Sequence, residues 1–189
     1  MQDSSSVCTA NSLLVCVDLQ NDFIDGSLGT PEAQSIIDAC VKRIATFPGR
    51  VVYTLDEHFS NYLETQEGRN LPVLHCQEHT PGQKLHPAIA DALLARDARG
   101  FSKHYFGSVD LAHWAAAQAA QTPFSSVLLI GICTDICVLS NAMLLKAALP
   151  ETPIYVDSSC CAGVTPKKHE AALSVLESCQ IYDIAKLRK

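Results

Sequence analysis

What most constrains this chain is a set of short apolar runs, each closing on a polar residue and each followed by a stretch with helical spacing. Residues 12–18 read SLLVCVD and residues 50–56 read RVVYTLD. Both are buried-strand patterns ending in Asp. Residues 125–131, SSVLLIG, predict another such strand, and residues 100–104, GFSKH, a weaker one that carries Lys103. Residues 153–157 predict a fifth strand and 181–184 a sixth. Helices are expected over 34–47, 87–96, 110–121, 134–148 and 166–179, with Asp110 capping the third and Thr134 the fourth. Pro48-Gly49 and Pro150 end two of them, and Pro166 suits the first turn of the last. Strands alternating with helices predict a parallel sheet covered on both faces: one doubly wound α/β domain spanning 1–189. Residues 57–85 break the rhythm. They are polar and irregular, and stretches of that length inside a compact domain usually carry function.

Composition narrows the function classes. A chain of 189 residues, 48% apolar and 18% charged, has material for one sizeable core. A net charge of -6 without a basic stripe argues against nucleic acid as a partner. No apolar run approaches the roughly 20 residues that span a bilayer, so no membrane partner is expected. Residues 1–11 lack the basic and apolar regions of a secretory leader and read as a disordered tail. Nine cysteines, an odd and scattered set, fit reduced thiols in a cytoplasmic protein rather than a disulfide framework. A buried free cysteine packs as a small hydrophobe, and Cys160-Cys161 has no account beyond packing or lining a turn. Whether copies of the chain associate as a homo-oligomer is open at this level.

In such a sheet, sites form beyond the carboxyl ends of the strands. Those ends deliver Asp18, Asp56, Lys103 and the segment GICTDIC, residues 131–137. A Thr134 cap would place Cys137 in a first helical turn. Free backbone N–H groups and the positive end of the helix dipole there lower a thiol's pKa. Cys133 lies in the turn before, where its backbone matters more than its sulfur. A cysteine nucleophile wants a base in reach. Asp18 and Lys103 are better placed for that than His58 or His104: a carboxylate to take the thiol proton, an ammonium to stabilise the thiolate. The same residues also read as a core cysteine, a strand-end Asp capping its turn, and a solvated lysine. Asp56 and His58 form a D-x-H pair, with Glu64 and His75 further along. Such ligands suit Zn, Fe or Mn, and equally a polar lid without metal. His79 reads as solvated.

VDLQNDF (17–23), DEH (56–58), LPVLHCQEHTPG (71–82), FSKHYFGS (101–108) and GICTDICV (131–138), in this order, resemble the isochorismatase-like cysteine hydrolases, and the metal set resembles their nicotinamidase branch. The resemblance runs from about Leu13 to Ile184. It implies a six-stranded parallel sheet in the order 3-2-1-4-5-6 and a triad of Asp18, Lys103 and Cys137. It further implies a cis peptide at Ile132-Cys133, and an oxyanion held by the backbone N–H groups of Cys133 and Cys137. The reaction implied is hydrolysis of nicotinamide to nicotinate and ammonia through a thioester on Cys137. A divalent metal, zinc first with iron or manganese as alternatives, would sit on Asp56, His58 and His75, with Glu64 as an added ligand. Phe23 would pack on the substrate ring, and Tyr105 and Phe106 would line its pocket. One position departs from the pattern: Leu71 stands where many nicotinamidases carry Trp. Two other readings stay open. One is hydrolysis of another small amide or carbamoyl compound on the same triad; the other is a non-catalytic module that binds a metal or small molecule or senses oxidants through its thiols.

Overall fold

The computed structural model describes residues 7–187. Six strands form a single parallel sheet: β1 Leu13–Val17, β2 Arg50–Asp56, β3 Arg99–Lys103, β4 Val127–Ile132, β5 Ile154–Ala162 and β6 Ile181–Asp183. Their order across the sheet is β3-β2-β1-β4-β5-β6, as the sequence leads one to expect. The chain winds outward from β1 in one direction and then, from β4, in the other. A crevice opens at that reversal, beyond the carboxyl ends of β1 and β4.

Alternation along the strands makes two cores. Leu14 and Cys16 of β1 and Leu128 and Ile130 of β4 face one layer, which contains α3 (Ile37–Thr46) and α5 (Pro87–Leu94). Leu13, Val15, Val17 and Leu129 face the other, which contains α6 (Val109–Gln121), α7 (Leu139–Ala148) and α8 (Pro166–Ser178). The short helices α1 (Asn21–Ile24), α2 (Pro31–Ser35) and α4 (Gln66–Asn70) lie in the connections after β1 and β2.

Several local expectations are revised. The helix expected over 34–47 is two helices, because Thr30 caps α2 through Ala33 N–H and the chain restarts after Ile36. Ser108, not Asp110, caps α6 by accepting from Leu111 N–H. Strand β5 runs past Asp157 to Ala162. Leu129 pairs with Val156, yet Gly131 pairs with Cys161, so residues 157–160 bulge out of register. The bulge is why the polar DSS segment hid the strand's second half. It also divides the adjacent thiols: Cys160 joins the first core and Cys161 the second. The tail expected over 1–11 lies outside the described residues up to residue 6. From residue 7 the chain is held: Val7 is buried, its carbonyl accepts from Ser126 Oγ, and Thr9 bonds Ser12 and Ser125.

Gly131 is where the sheet tolerates no side chain. Its φ is +127°, and a Cβ there would lie 2.1 Å from the Val17 carbonyl oxygen of the paired strand. Only glycine meets both conditions cheaply. Gly131→Ala is expected to cost about 3 kcal/mol or more in urea unfolding, the scale of strained core changes. An unchanged urea midpoint would show that β1 and β4 can part here.

Candidate functional site

Strand ends carry the site, as expected. Beyond β1 the chain turns sharply at Asp18, which has φ 49° and is fully buried. Aspartate is among the few non-glycine residues that tolerate this region. Lys103, the last residue of β3, is also buried, and its Nζ lies 2.8 Å from Asp18 Oδ2 and 2.8 Å from Asp56 Oδ1. The same ammonium donates to Cys137 Sγ at 3.7 Å. One cation therefore touches two carboxylates and one thiol. Thr54 Oγ1 donates to Asp18 Oδ1 at 2.6 Å and fixes the other face of that carboxylate.

Electrostatics follow from this packing. Burial would lower the Lys103 pKa, but Asp18, Cys137 and Asp56 outweigh it and hold the ammonium charged. Burial pushes the Asp18 carboxyl upward, with Lys103 opposing. Burial also pushes the Cys137 thiol well up, Asp18 adds to this, and Lys103 counteracts. Burial thus works against the lowering expected from the helix terminus, and it pushes thiol and carboxylate alike toward their protonated forms while Lys103 opposes both. Burial raises Cys133 to about 12 as well.

Residues 134–138 form one wide π-helical turn that leads into α7, and Cys137 lies within it. Its start differs from expectation. Cys133 occupies the capping position, its carbonyl accepting from Ile136 and Val138 N–H, while the Thr134 hydroxyl bonds His169 Nδ1 at 2.8 Å. The peptide between Ile132 and Cys133 is cis. Asn141, unremarkable in sequence, donates to the Cys137 carbonyl at 2.8 Å and accepts from Ser108 N–H, tying the turn to the start of α6.

A second cluster adjoins the first through Asp56, whose Oδ2 lies 2.9 Å from His58 Nε2 and 3.6 Å from His75 Nε2. The long loop is folded back to make this possible. His58 N–H donates to Cys76 O and Glu78 N–H to His58 O, so the His75 end of the loop pairs beside His58. Asp22 accepts from Cys76 N–H, and Gln20 clamps the Asp56 backbone from both sides. Ligand-type atoms of Asp56, His58, Glu67 and His75 lie within 4.8 Å of one another. Glu64 is not among them. It is exposed, and Glu67 takes the place expected of it, with Oε1 at 3.6 Å from His58 Nε2 and 3.8 Å from His75 Nε2. The reason is helix α4: Thr65 caps it through Gly68 N–H, and Glu67 in its first turn faces inward. A threonine followed by an acidic first turn is a helix-start signal that the sequence carries.

These donors fit a divalent metal. The buried His58 Nε2 has no hydrogen-bond partner among the described residues. His75 Nδ1 bonds the Val73 carbonyl at 2.8 Å, which leaves Nε2 as the coordinating nitrogen. Burial would raise the Asp56 pKa, but the His58 and His75 imidazoles close beside it and the Lys103 charge hold it well below the carboxylate range. Two imidazoles and two carboxylates are a donor set for zinc, iron or manganese.

Both clusters open into a cavity of about 250 Å³. Cys133, Cys137, Asp56, Glu67 and His75 line it, together with Phe23 and Phe106 as expected. Phe23 stands edge-on to His75, with ring centroids 5.5 Å apart. Tyr105, expected to line it, is not among the lining residues and is 77% exposed. Leu71 does line it, so an aliphatic wall stands at that position.

The Isochorismatase domain model matches residues 12–184. Among solved structures, nicotinamidase/pyrazinamidase PncA from Bacillus subtilis is 24% identical with a TM-score of 0.76, covering 91% of this chain and 99% of that one. Pyrazinamidase of Pyrococcus horikoshii, solved in complex with zinc, is 26% identical with a TM-score of 0.74, covering 92% and 98%. PnC1 from L. infantum, in complex with nicotinate, shares the fold at 20% identity and a TM-score of 0.77, covering 93% and 94%. No curated protein matches the chain by sequence. Among the described residues no helix is long and apolar enough to cross a membrane.

Glu67→Gln is expected to weaken zinc binding by at least about tenfold, the scale seen when metal-site partners are changed. Competition against a chromophoric chelator reads this directly. Glu64→Gln should bind zinc as the unaltered chain does; an equal loss there would return the ligand role to Glu64.

Proposed function

The chain belongs to the isochorismatase family of hydrolases, and from that premise we propose that it is a metal-assisted cysteine amidohydrolase of the nicotinamidase type. Its substrate would be nicotinamide, cleaved to nicotinate and ammonia. The carrying observation is the single buried ammonium of Lys103 shared by Asp18 and Cys137, beside a cluster with a metal's donor set. A purely structural cysteine needs neither neighbour.

The chemistry follows from the residues. Asp18 takes the Cys137 proton, and the thiolate attacks the carboxamide carbon. The backbone N–H groups of Cys133 and Cys137 receive the oxyanion. Asp18 returns the proton to the departing nitrogen, ammonia leaves, and a thioester remains. Water then attacks the thioester carbon while Asp18 takes its proton, and the acid leaves with the Cys137 thiol restored. Lys103 stays protonated throughout and balances the charge that moves between sulfur and carboxylate. Asp56, His58, His75 and Glu67 would hold the metal, which when bound offers a Lewis-acid position to the substrate's ring nitrogen and orders water. Phe23 and Phe106 supply apolar faces for the ring.

Zinc-loaded protein is expected to release ammonia from nicotinamide. Cys137→Ala should lose activity by on the order of 10⁴-fold or more, as for other nucleophile deletions. Cys133→Ala should stay within about tenfold, because its backbone donor survives. A dead Cys133→Ala with an active Cys137→Ala would reverse the assignment, and no release from folded, zinc-loaded protein would reject nicotinamide.

A further inference from the structure

The charged groups of the cavity fall on two sides. Asp56, Glu67 and His75 belong to β2 and the loop that follows it. Lys168 belongs to α8, the helix after β5. In the sheet order, β1 and β4 lie between β2 and β5, so the cysteines leaving β4 stand between the two sides. Much of the remaining wall is apolar, made by Phe23, Leu28, Leu71, Phe106, Ile136 and Val164. The amidase chemistry employs the β2 side and the cysteines. It leaves Lys168 without a task.

Lys168 is also uncommitted in the fold. It forms no ion pair among the described residues. The Asp135 carboxylate forms no ion pair with it, and its Oδ1 accepts from Val164 N–H at 2.9 Å. The backbone of Lys168 is fixed, because its N–H donates to Thr165 Oγ1 in the helix cap. The side chain is exposed at the pocket rim, and its charge is felt at Cys133, where it opposes the effect of burial. An unpaired ammonium at the rim of a mostly apolar wall is the positive charge nearest to an anion entering from that side. In a chain of net charge -6, it is also the local attraction that lets an anion approach.

We propose that Lys168 determines substrate class: it receives an anionic substituent, such as a carboxylate, on an amide whose scissile carbonyl sits at Cys137. The proposal rests on the amidase reading and narrows it, from neutral amides to small amides that carry a negative charge away from the reacting bond. Unsubstituted nicotinamide would then be accepted without using this contact.

The test compares a pyridine bearing one carboxamide and one carboxylate with the methyl ester of the same compound. Binding is measured by calorimetry on zinc-loaded Cys137→Ala protein, so that turnover does not intrude. The carboxylate is expected to bind about tenfold more tightly than the ester, as a charge-assisted contact allows. Lys168→Met should erase the preference by weakening carboxylate binding about tenfold, and Lys168→Arg should keep it. A preference that survives Lys168→Met, or failure of both compounds to bind, overturns the proposal. Ammonia release by the protein with Cys137 intact separates the two claims. Preferential binding without hydrolysis supports the role of Lys168 and sinks the amidase reading. Equal turnover of both compounds, unaffected by Lys168→Met, keeps the amidase reading and overturns the role of Lys168.

Discussion

The buried ammonium of Lys103 is the interaction on which the site depends. An ion of this kind, removed from water, is tolerated only with close counter-charge and satisfied hydrogen bonds. Asp18 and Asp56 supply the counter-charge at 2.8 Å each, and Asp56 also accepts a hydrogen bond from Lys103 Nζ. The three residues come from the ends of β1, β2 and β3, which are neighbours in the sheet, so the register of the strands sets the geometry of the charges. Asp56 pairs with Lys103 directly in that register. Removing the ammonium would leave two buried carboxylates facing each other uncompensated, at a cost of about 3–5 kcal/mol. Sheet order and site chemistry are therefore one constraint. A one-residue slip of β3 would turn Lys103 to the opposite face.

Strand ends were legible because their cause is local. An apolar run buried on both faces must stop where the backbone reaches solvent or a site, and the polar residue at that point is readable. Asp18, Asp56 and Lys103 followed from this logic, Cys137 from the helix start expected after β4, and the metal ligand set from a resemblance that a family match over residues 12–184 supports. Errors arose where a local signal was passed over or a non-local contact decides. Glu64 and Glu67 are equally acidic, and the helix start at Thr65, legible in the sequence, shows which one faces inward. Thr134 has the chemistry of a cap, yet His169, 35 residues away, claims its hydroxyl. The opposing influence of burial on the Cys137 thiol was not legible, because the helix start is visible in sequence and burial is not. The bulge at 157–160 is similar, since Arg43 of α3 supplies the partner that lets Asp157 sit buried in a strand.

Nine free thiols in one small chain ask what separates a reactive sulfur from a packing one. Burial does not, because Cys16, Cys40, Cys76, Cys160 and Cys161 are as buried as Cys137. Proximity to the crevice does not either, because Cys133 also lines the cavity. The difference is a charge partner. Cys137 accepts from an ammonium that a carboxylate also holds, so a thiolate formed there meets a positive charge already in contact with it. Cys40 donates to a carbonyl, the Cys160 backbone, which offers no way to stabilise a thiolate. Cys133 is close enough for its backbone to serve, but its sulfur lacks the lysine contact. One lysine at the end of β3 thus separates the thiol suited to chemistry from eight others, and it does so by position in the sheet rather than by anything in the cysteine's own neighbourhood of sequence.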